Sequence, residues 1–527
     1  MKDKFFCAIS YNVHDSSVSF ARNNKIILVL EAERIFRVKR KRCNESEMDE
    51  LIGYGLTYLG IKIKDVSYWT MTTLQNPILF QKEKIFDKVT DLPKNPYWKK
   101  FKVYGKERDV LIVNHHMSHA ASYLMSDFQD AIISTCDGGG DYNEEDGRSE
   151  CVAVFEGKNN KIERIHTKLD DHINGKFYGA CSYFLYGDIH CEGKMMALIA
   201  YGKPDEIIIS KLRDNFKELN ESSYEKSTDI LKKTFPDIIR CNISISDNNI
   251  VNFATSVQKL FCDTRIKNLK DIITTSKSNN LVMAGGVSLN LDLNTEVLNS
   301  FNNMNHFIAS CCDDTGQSLG ALCYLISEIT GQKPKVELPY LGMGEEKISY
   351  DRLDIEKAVK TLLDDGIVIL HNGKAEIGPR ALGNRSLLVR PDKIDIKKYL
   401  SEEIKKRESY RPVAPVVLEE KVHEYFIGAD KSPFMLYKYK VVDSVREKIK
   451  GAIHHDGSAR VQTVNRNDNP FLYDLIKSFG DKTGIYVLLN TSLNLKGDPI
   501  ANTLEDSVEI YNKIEGNKIL VYNGKVQ

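Results

Sequence analysis

VNHHMSHAASYL, residues Val113 to Leu124, is the stretch around which the chain is organised. The β-type residues Val110–Val113 lead into it, and an alanine-rich, helix-favouring run follows. His115 and His119 are four apart, which on a helix places them one turn above each other on one face. Two imidazoles so arranged can hold a divalent metal at adjacent coordination positions. Carboxylates would complete the set, and Asp137 in STCDGGGD is the nearest candidate. Taken alone, two histidines at this spacing more often mark only the polar face of a helix. Asp137 and the segments beyond it turn the reading toward a metal.

Upstream, KFFCAISYNVHDSSVSFARNNKIILVLEAERIF predicts a β-hairpin. Apolar FFCAI runs to a polar turn carrying His14 and Asp15, then VSFA, a turn at Asn23-Asn24, and IILVL. Actin-like and sugar-kinase-like ATPase folds begin in this way. The basic run RIFRVKRKR follows, either a solvated loop or a loop over a polyphosphate, with Lys39 the residue chosen for the second role. Residues 45–110 are expected to be helical and mixed, with little chemistry.

Downstream, AIISTCDGGGDYNEEDGRSECVAVFEG reads as a strand, a glycine turn and a second strand, the pattern of a repeated hairpin lobe. Gly138 and Gly139 allow backbone amides to approach a phosphate, while Asp137 at the strand end can reach a metal. Residues 205–250 are charged and polar, a helical insertion. In NLVMAGGVSLNLDLNTEVL, a buried strand runs into Gly285-Gly286 and a helix, which suits a diglycine lying against a nucleotide. In ASCCDDTGQSLGALCYL, Asp314 ends an apolar strand as Asp137 does; a metal ligand and a helix N-cap are equally good explanations. Proline, glycine and charge between Gly331 and Tyr350 mark a domain boundary. Beyond it Arg380, Arg385, Arg390, Arg411 and Arg460 stand beside apolar strand residues. That setting suits bidentate capture of phosphate or carboxylate better than surface ion pairing.

Composition sets the outer bounds. A chain of 527 residues is expected to form more than one compact unit. Lys and Arg number 73 against 73 Asp and Glu, so no global charge draws it to nucleic acid or an anionic membrane. Eleven cysteines without CxxC spacing, and no visible signal peptide, predict reduced thiols and a cytoplasmic location. No apolar run approaches a membrane span of about 20 residues.

Taken in order, NVHDSS, NHHMSHAAS, DGGGD, CEGKMMALIAYG, LVMAGGVSLN, DDTGQSLGA, GPRALGNRS, YRPVAP, ARVQTV and LLNTSLN resemble the NodU/CmcH-type O-carbamoyltransferase family, whose best-understood member acts on tobramycin. The resemblance spans nearly the whole chain, and GPRALGNRS followed by RVQTV and LNTSLN is its most specific part. It implies an α/β protein of two domains. Residues 1–335 would be a two-lobed actin-like ATPase domain of threonylcarbamoyl-transferase type, and residues 345–527 a YrdC-like α/β domain. The second would make carbamoyladenylate from ATP and carbamoyl phosphate. The first would transfer the carbamoyl group to an acceptor hydroxyl beside a bound metal, with iron implied and zinc or manganese equally suited to the ligands.

Carried over residue by residue, the resemblance makes His115, His119, Asp137 and Asp314 the metal ligands and His14 the general base. Arg380, Arg411, Arg460 and Asn490 match ATP and carbamoyl phosphate positions. Lys39, Gly138, Gly139, Gly175, Gly285, Gly286, Asn384 and Arg385 are assigned to the same substrates. Departures occur at Ile377, in YRPVAP, and at Cys191, all apolar or small. The acceptor, whether a natural product, a sugar or a hydroxymethylated nucleotide or DNA base, is left open, and a homodimer is possible in this family. Two other readings compete: a tRNA-modifying threonylcarbamoyl enzyme, disfavoured by the zero net charge, and a nucleotide-binding regulator without turnover.

Overall fold

The computed structural model describes residues 3–73, 96–143, 148–166, 172–238 and 240–527. The chain divides into two compact units, one of Met1–Glu33 with Arg40–Glu337, the other of Arg34–Lys39 with Leu338–Gln527. The basic run is therefore cut: its first six residues cluster with the second unit, which a split into two continuous stretches does not contain.

Among its described residues the first unit holds two large sheets. One is built from β1 (Phe5–Ser10), β2 (Ser17–Arg22), β3 (Lys25–Glu31), β4 (Val66–Thr72), β5 (Tyr97–Val103) and β6 (Lys106–Val113), in the order β3-β2-β1-β4-β6-β5. The predicted hairpin is thus a three-stranded antiparallel meander, with β4 and then β6 added in parallel. Among the described residues of 45–110 stand the helix Glu45–Leu59, a short 3-10 turn Ile63–Asp65 and strands β4, β5 and the start of β6, so the stretch is mixed, with more strand than the expectation gave it. Its apolar strand residues sit among charged neighbours, and parallel pairing beside β1 overrides their weak local pattern. Part of the stretch, 74–95, lies outside the described residues.

The other sheet comprises β7 (Asp130–Cys136), β10 (Val152–Lys158), β11 (Lys161–His166), β12 (Asn280–Ala284) and β13 (Asn305–Phe307), in the order β11-β10-β7-β12-β13. The small hairpin β8 (Tyr142–Asn143) and β9 (Arg148–Ser149) extends from the β7–β10 connection. Both sheets share one plan: an antiparallel meander whose first strand then pairs in parallel with later ones. Helices Glu206–Asp214, Phe216–Glu221 and Tyr224–Thr234 account for the expected insertion.

The buried helix Gln317–Thr330 packs on β1, β2, β4 and the histidine helix His115–Ala120. The approach is close because Gly320 has no side chain; a Cβ there would lie 2.0 Å from Ser118 O. Among the described residues no helix is long and apolar enough to cross a membrane.

The second unit is a mixed sheet of β14 (Ile367–His371), β15 (Arg385–Val389), β16 (Ala414–Leu418), β19 (Gln462–Val464), β20 (Val487–Ser492), β21 (Lys518–Tyr522) and β22 (Lys525–Val526). The order is β19-β16-β20-β15-β14-β21-β22. A separate pair, β17 (Lys438–Lys440) and β18 (Ser458–Arg460), carries Arg460 at its end. Strands of five buried residues such as IVILH and APVVL need cover on both faces. Helices Arg352–Leu363, Pro470–Thr483 and Leu504–Lys513 pack on the sheet.

Candidate functional site

In the first unit, the ends of β6 and β7 and one turn meet. Strand β6 is followed by Asn114, whose Oδ1 accepts the Met117 amide and caps the short helix His115–Ala120. Every residue of that helix is buried, and the two imidazole rings stand 4.7 Å apart at 87°. Asp137 follows β7, and Asp314 opens the turn Asp314–Gly316. The capping role falls to the neighbour: Asp313 Oδ1 accepts the Thr315 amide at 3.3 Å. Asp314 is thereby left to face the histidines.

His115 Nε2 lies 3.4 Å from Asp314 Oδ1, and His119 Nε2 lies 3.2 Å from Asp137 Oδ2 and 3.3 Å from Asp314 Oδ1. One ligand atom from each of the four residues falls within 4.8 Å of the others. His119 Nε2 is buried without a well-formed hydrogen bond, although two carboxylates face it. Converging lone pairs of this kind fit a cation better than they fit each other. Burial pushes His115 down to about 3 and keeps it neutral, against the pull of Asp314. At His119 burial also opposes protonation, but Asp137 and Asp314 outweigh it and lift the ring to about 9. A proton on His119 thus balances the two acids when protein groups act alone, and metal ligation would displace it.

Asp137 is held by backbone. Its Oδ1 accepts the Gly138 amide at 2.6 Å and its Oδ2 the Gly286 amide at 2.7 Å. Gly285, at φ +91°, would put a Cβ 2.2 Å from Cys136 O, and Gly175 would put one 2.5 Å from Gly138 N. Gly175 also donates its amide to Asp137 O at 2.9 Å. Gly175, Gly285 and Gly286 therefore have work as the mount of Asp137, a role that their assignment to nucleotide did not include. Gly138 and Gly139 differ, because the nearest described atoms to a Cβ there are 3.9 and 4.0 Å away.

His14 stands on the rim, its side chain 28% exposed, with Nδ1 2.7 Å from Asp15 Oδ2 and 3.8 Å from Asp314 Oδ2. Burial works against its charge, yet Asp15 and Asp314 raise it to about 9. His190, which the sequence did not single out, presents its ring edge to His14 at 5.3 Å and pairs with Arg40 at 2.7 Å.

In the second unit the GPRALGNRS loop winds around Glu376, a fully buried side chain. Its Oε1 accepts the amides of Leu382, Asn384 and Arg385. Arg385 is fully buried too and donates to the carbonyls of Asn372, Gly373, Asn384 and Met343. Its guanidinium builds the loop, a role that its assignment to ATP and carbamoyl phosphate did not include. Asn384 likewise bonds Lys374 O and Asn469, a framework role. Asn490 fixes its amide on Ala381 O and Gln462, leaving Oδ1 buried without a hydrogen bond.

Around this loop positive groups crowd one another. Burial, then the charges of Arg380, Arg407 and Arg411, push the Arg460 guanidinium well below its ordinary range. Burial and Arg411 take Arg407 down to about 10. Lys405 is driven down by burial, Arg407, Lys39 and Arg411, while its ammonium donates to Ser492 O, Asn494 O and Asn494 Oδ1. Glu408 stands 3.8 Å from Arg411. Cations gathered this closely can receive a multiply charged anion. Lys405 and Arg407, in IKKRES, carry no sequence signal that sets them apart from surface charge. They follow the widened helical turn Tyr399–Ile404, which turns them inward.

The chain matches two families, described as Carbamoyltransferase N-terminus over residues 6–323 and Carbamoyltransferase C-terminus over residues 359–526. It is 29% identical to an uncharacterised protein of Methanocaldococcus jannaschii, covering 97% of each chain. It is 32% identical to nodulation protein NolO of Bradyrhizobium diazoefficiens, covering 76% of each. A 3'-hydroxymethylcephem-O-carbamoyltransferase of Amycolatopsis lactamdurans is 36% identical over 43% of this chain and 45% of that one.

Proposed function

The chain belongs to the carbamoyltransferase family, and from that premise we propose that it is an ATP-dependent O-carbamoyltransferase working through carbamoyladenylate. On this reading the first unit is the two-lobed actin-like transfer domain, and the second is the YrdC-like domain that activates the carbamoyl group. The observation that carries the reading is the crowd of cations around Arg380, Arg407, Arg411 and Arg460, with Lys405 and Lys39 beside them. ATP and carbamoyl phosphate are both polyanions, and a pocket taking both needs this excess of charge.

The chemistry then follows in two steps. Water hydrolyses carbamoyl phosphate to carbamate and inorganic phosphate; a carbamate oxygen then attacks the α-phosphorus of ATP, and pyrophosphate leaves. Guanidinium groups offset the charge on the phosphates and orient them by paired hydrogen bonds. In the first unit the acceptor hydroxyl oxygen attacks the carbamoyl carbon, AMP departs, and the hydroxyl proton passes to His14. Such a proton transfer is typically worth about 10²–10⁴-fold. A divalent cation held by His115, His119, Asp137 and Asp314 would supply Lewis-acid stabilisation of phosphate charge there, with iron, zinc or manganese suited to the ligands. His14 must be neutral to accept a proton, and Asp314, one of the two carboxylates that keep it protonated, would do so less strongly if it also held a cation.

The test is exchange of labelled pyrophosphate into ATP by the whole protein, required to depend on carbamoyl phosphate. Loss of exchange in Arg411→Ala and Arg460→Ala is expected. Exchange without carbamoyl phosphate, or full exchange in both variants, would sink the reading. The acceptor is a hydroxyl compound, sought among natural products, sugars and hydroxymethylated nucleotides by transfer of labelled carbamoyl.

A further inference from the structure

Asp141 closes the DGGGD loop that Asp137 opens, and its carboxylate is 5% exposed. Three donors converge on it. Thr73 Oγ1 donates to Oδ1, Asn114 Nδ2 donates to Oδ2, and the His115 amide donates to Oδ2 at 3.0 Å. The Thr73 hydroxyl also accepts the His115 amide, at 3.0 Å. Asn114 is the cap of the histidine helix, so Asp141 grips both the cap and the first helical residue.

That helix is six residues long, too short to hold its own geometry, and its first amides have no partner within it. Its direction must come from outside. Behind it, Arg164 ties Asn114 Oδ1 at 3.4 Å to Glu150 Oε2 at 3.1 Å, and Glu150 O meets His116 Nε2 at 2.8 Å. The loop is pressed onto this network: a Cβ on Gly140 would lie 2.5 Å from Glu150 O and 2.6 Å from His116 Nε2. One five-residue loop therefore delivers the Asp137 carboxylate at its start and clamps the helix of His115 and His119 at its end.

We propose that Asp141, with Thr73, is a positioning residue that sets the distance between the two histidines and Asp137, and through it the affinity of the metal group. The inference rests on the metal reading of those four residues. It concerns groups that touch no ligand themselves and act only through the backbone and cap. A carboxylate can accept from all three donors, whereas an amide in its place must turn an N–H toward at least one of them.

The experiment uses the full-length protein, stripped and then titrated with Zn²⁺ and with Mn²⁺ against a chelating indicator. Asp141→Asn and Thr73→Val are expected to weaken binding by about 10- to 100-fold, the usual effect of losing a group that orients ligands. Thr73→Ser, which keeps the hydroxyl, is expected to restore affinity to within about threefold. Carbamoyl-phosphate-dependent pyrophosphate exchange, a reaction of the second unit, should be unchanged in all three. Wild-type affinity in both Asp141→Asn and Thr73→Val overturns the proposal. If Asp141→Asn loses exchange as well, it is misfolded, and Thr73→Val against Thr73→Ser decides. Should His119→Ala bind both metals as tightly as the unaltered protein, the metal reading itself fails instead.

Discussion

Arg34 grips the backbone at Glu376 from 342 positions away, donating Nη1 to Glu376 O at 2.5 Å and Nη2 to Gly378 O at 2.8 Å. Arg37, three residues on, holds Ile500 O at 2.7 Å and Pro499 O at 3.1 Å. A segment that follows the first meander is thus a structural part of the loop presenting Arg380. Hydrogen bonds to charged groups contribute about 1.5–3 kcal/mol. Arg34→Ala is expected to raise the KM for carbamoyl phosphate in pyrophosphate exchange about tenfold. Arg34→Lys should recover only part, because an ammonium cannot fork to two carbonyls. Unaltered exchange kinetics in Arg34→Ala would remove Arg34 from this role.

The cation crowd implies a trade between stability and activity. Arg460 loses hydration and faces three like charges, and its Nε is buried with no hydrogen bond. Arg460→Met should therefore raise the melting temperature of the ligand-free protein by a few degrees, on the order of 1 kcal/mol, while abolishing exchange. ATP should raise the melting temperature of the unaltered protein and leave that of the variant unmoved. A variant that melts lower and still turns over would contradict this account.

The two half-reactions should separate under chelation. Removing metal, or replacing His119 by alanine, is expected to lower transfer to an acceptor at least about 100-fold, as loss of a Lewis acid does. Pyrophosphate exchange should persist at its original rate. The check is to measure both activities on one preparation before and after chelation; a parallel fall in both would tie the metal to the wrong step.

Acid should loosen the end of the chain. Asp354 sits in the first turn of helix Arg352–Leu363 and receives Lys525 Nζ at 2.9 Å and the Val526 amide at 3.2 Å. Burial would raise its pKa, but these donors and the Asp351 amide bring it from 3.8 to about 2. A carboxyl lowered in the folded state stabilises it above 3.8, and that stabilisation is lost as pH falls through about 2. Asp354→Asn should therefore cost about 1–2 kcal/mol at neutral pH, with the difference from the unaltered chain vanishing near pH 2 in denaturant titrations. A gap that persists in acid would assign the loss to something other than charge.

What the sequence could reveal depended on how local each signal was. His115, His119, Asp137 and Asp314 each follow an apolar strand or open a turn, so chain pattern alone brought them under suspicion. Choosing between ligand and cap for Asp314 needed coordinates, since Asp313 is an equally good cap by type and takes that place. The meander Phe5–Glu31 was partly legible from alternation, while β4 and β6 were not, because their pairing partner lies far upstream. Arg385 resembles Arg380 in every sequence property, yet one guanidinium is enclosed by four carbonyls. Glu376 and Asp141 gave no signal at all, since a carboxylate that organises amides is defined by distant partners. Lys405 and Arg407 hid among exposed charges for the same reason.

Gly138 and Gly139 offer a gauge, because a Cβ on either meets its nearest described atom only at ordinary contact distance. Since the polypeptide would tolerate a methyl group at either point, alanine there is silent toward folding. At Gly139, which holds no part of Asp137 in the bonds described, a penalty on turnover would be felt by a guest molecule, and its size would read how near the guest comes.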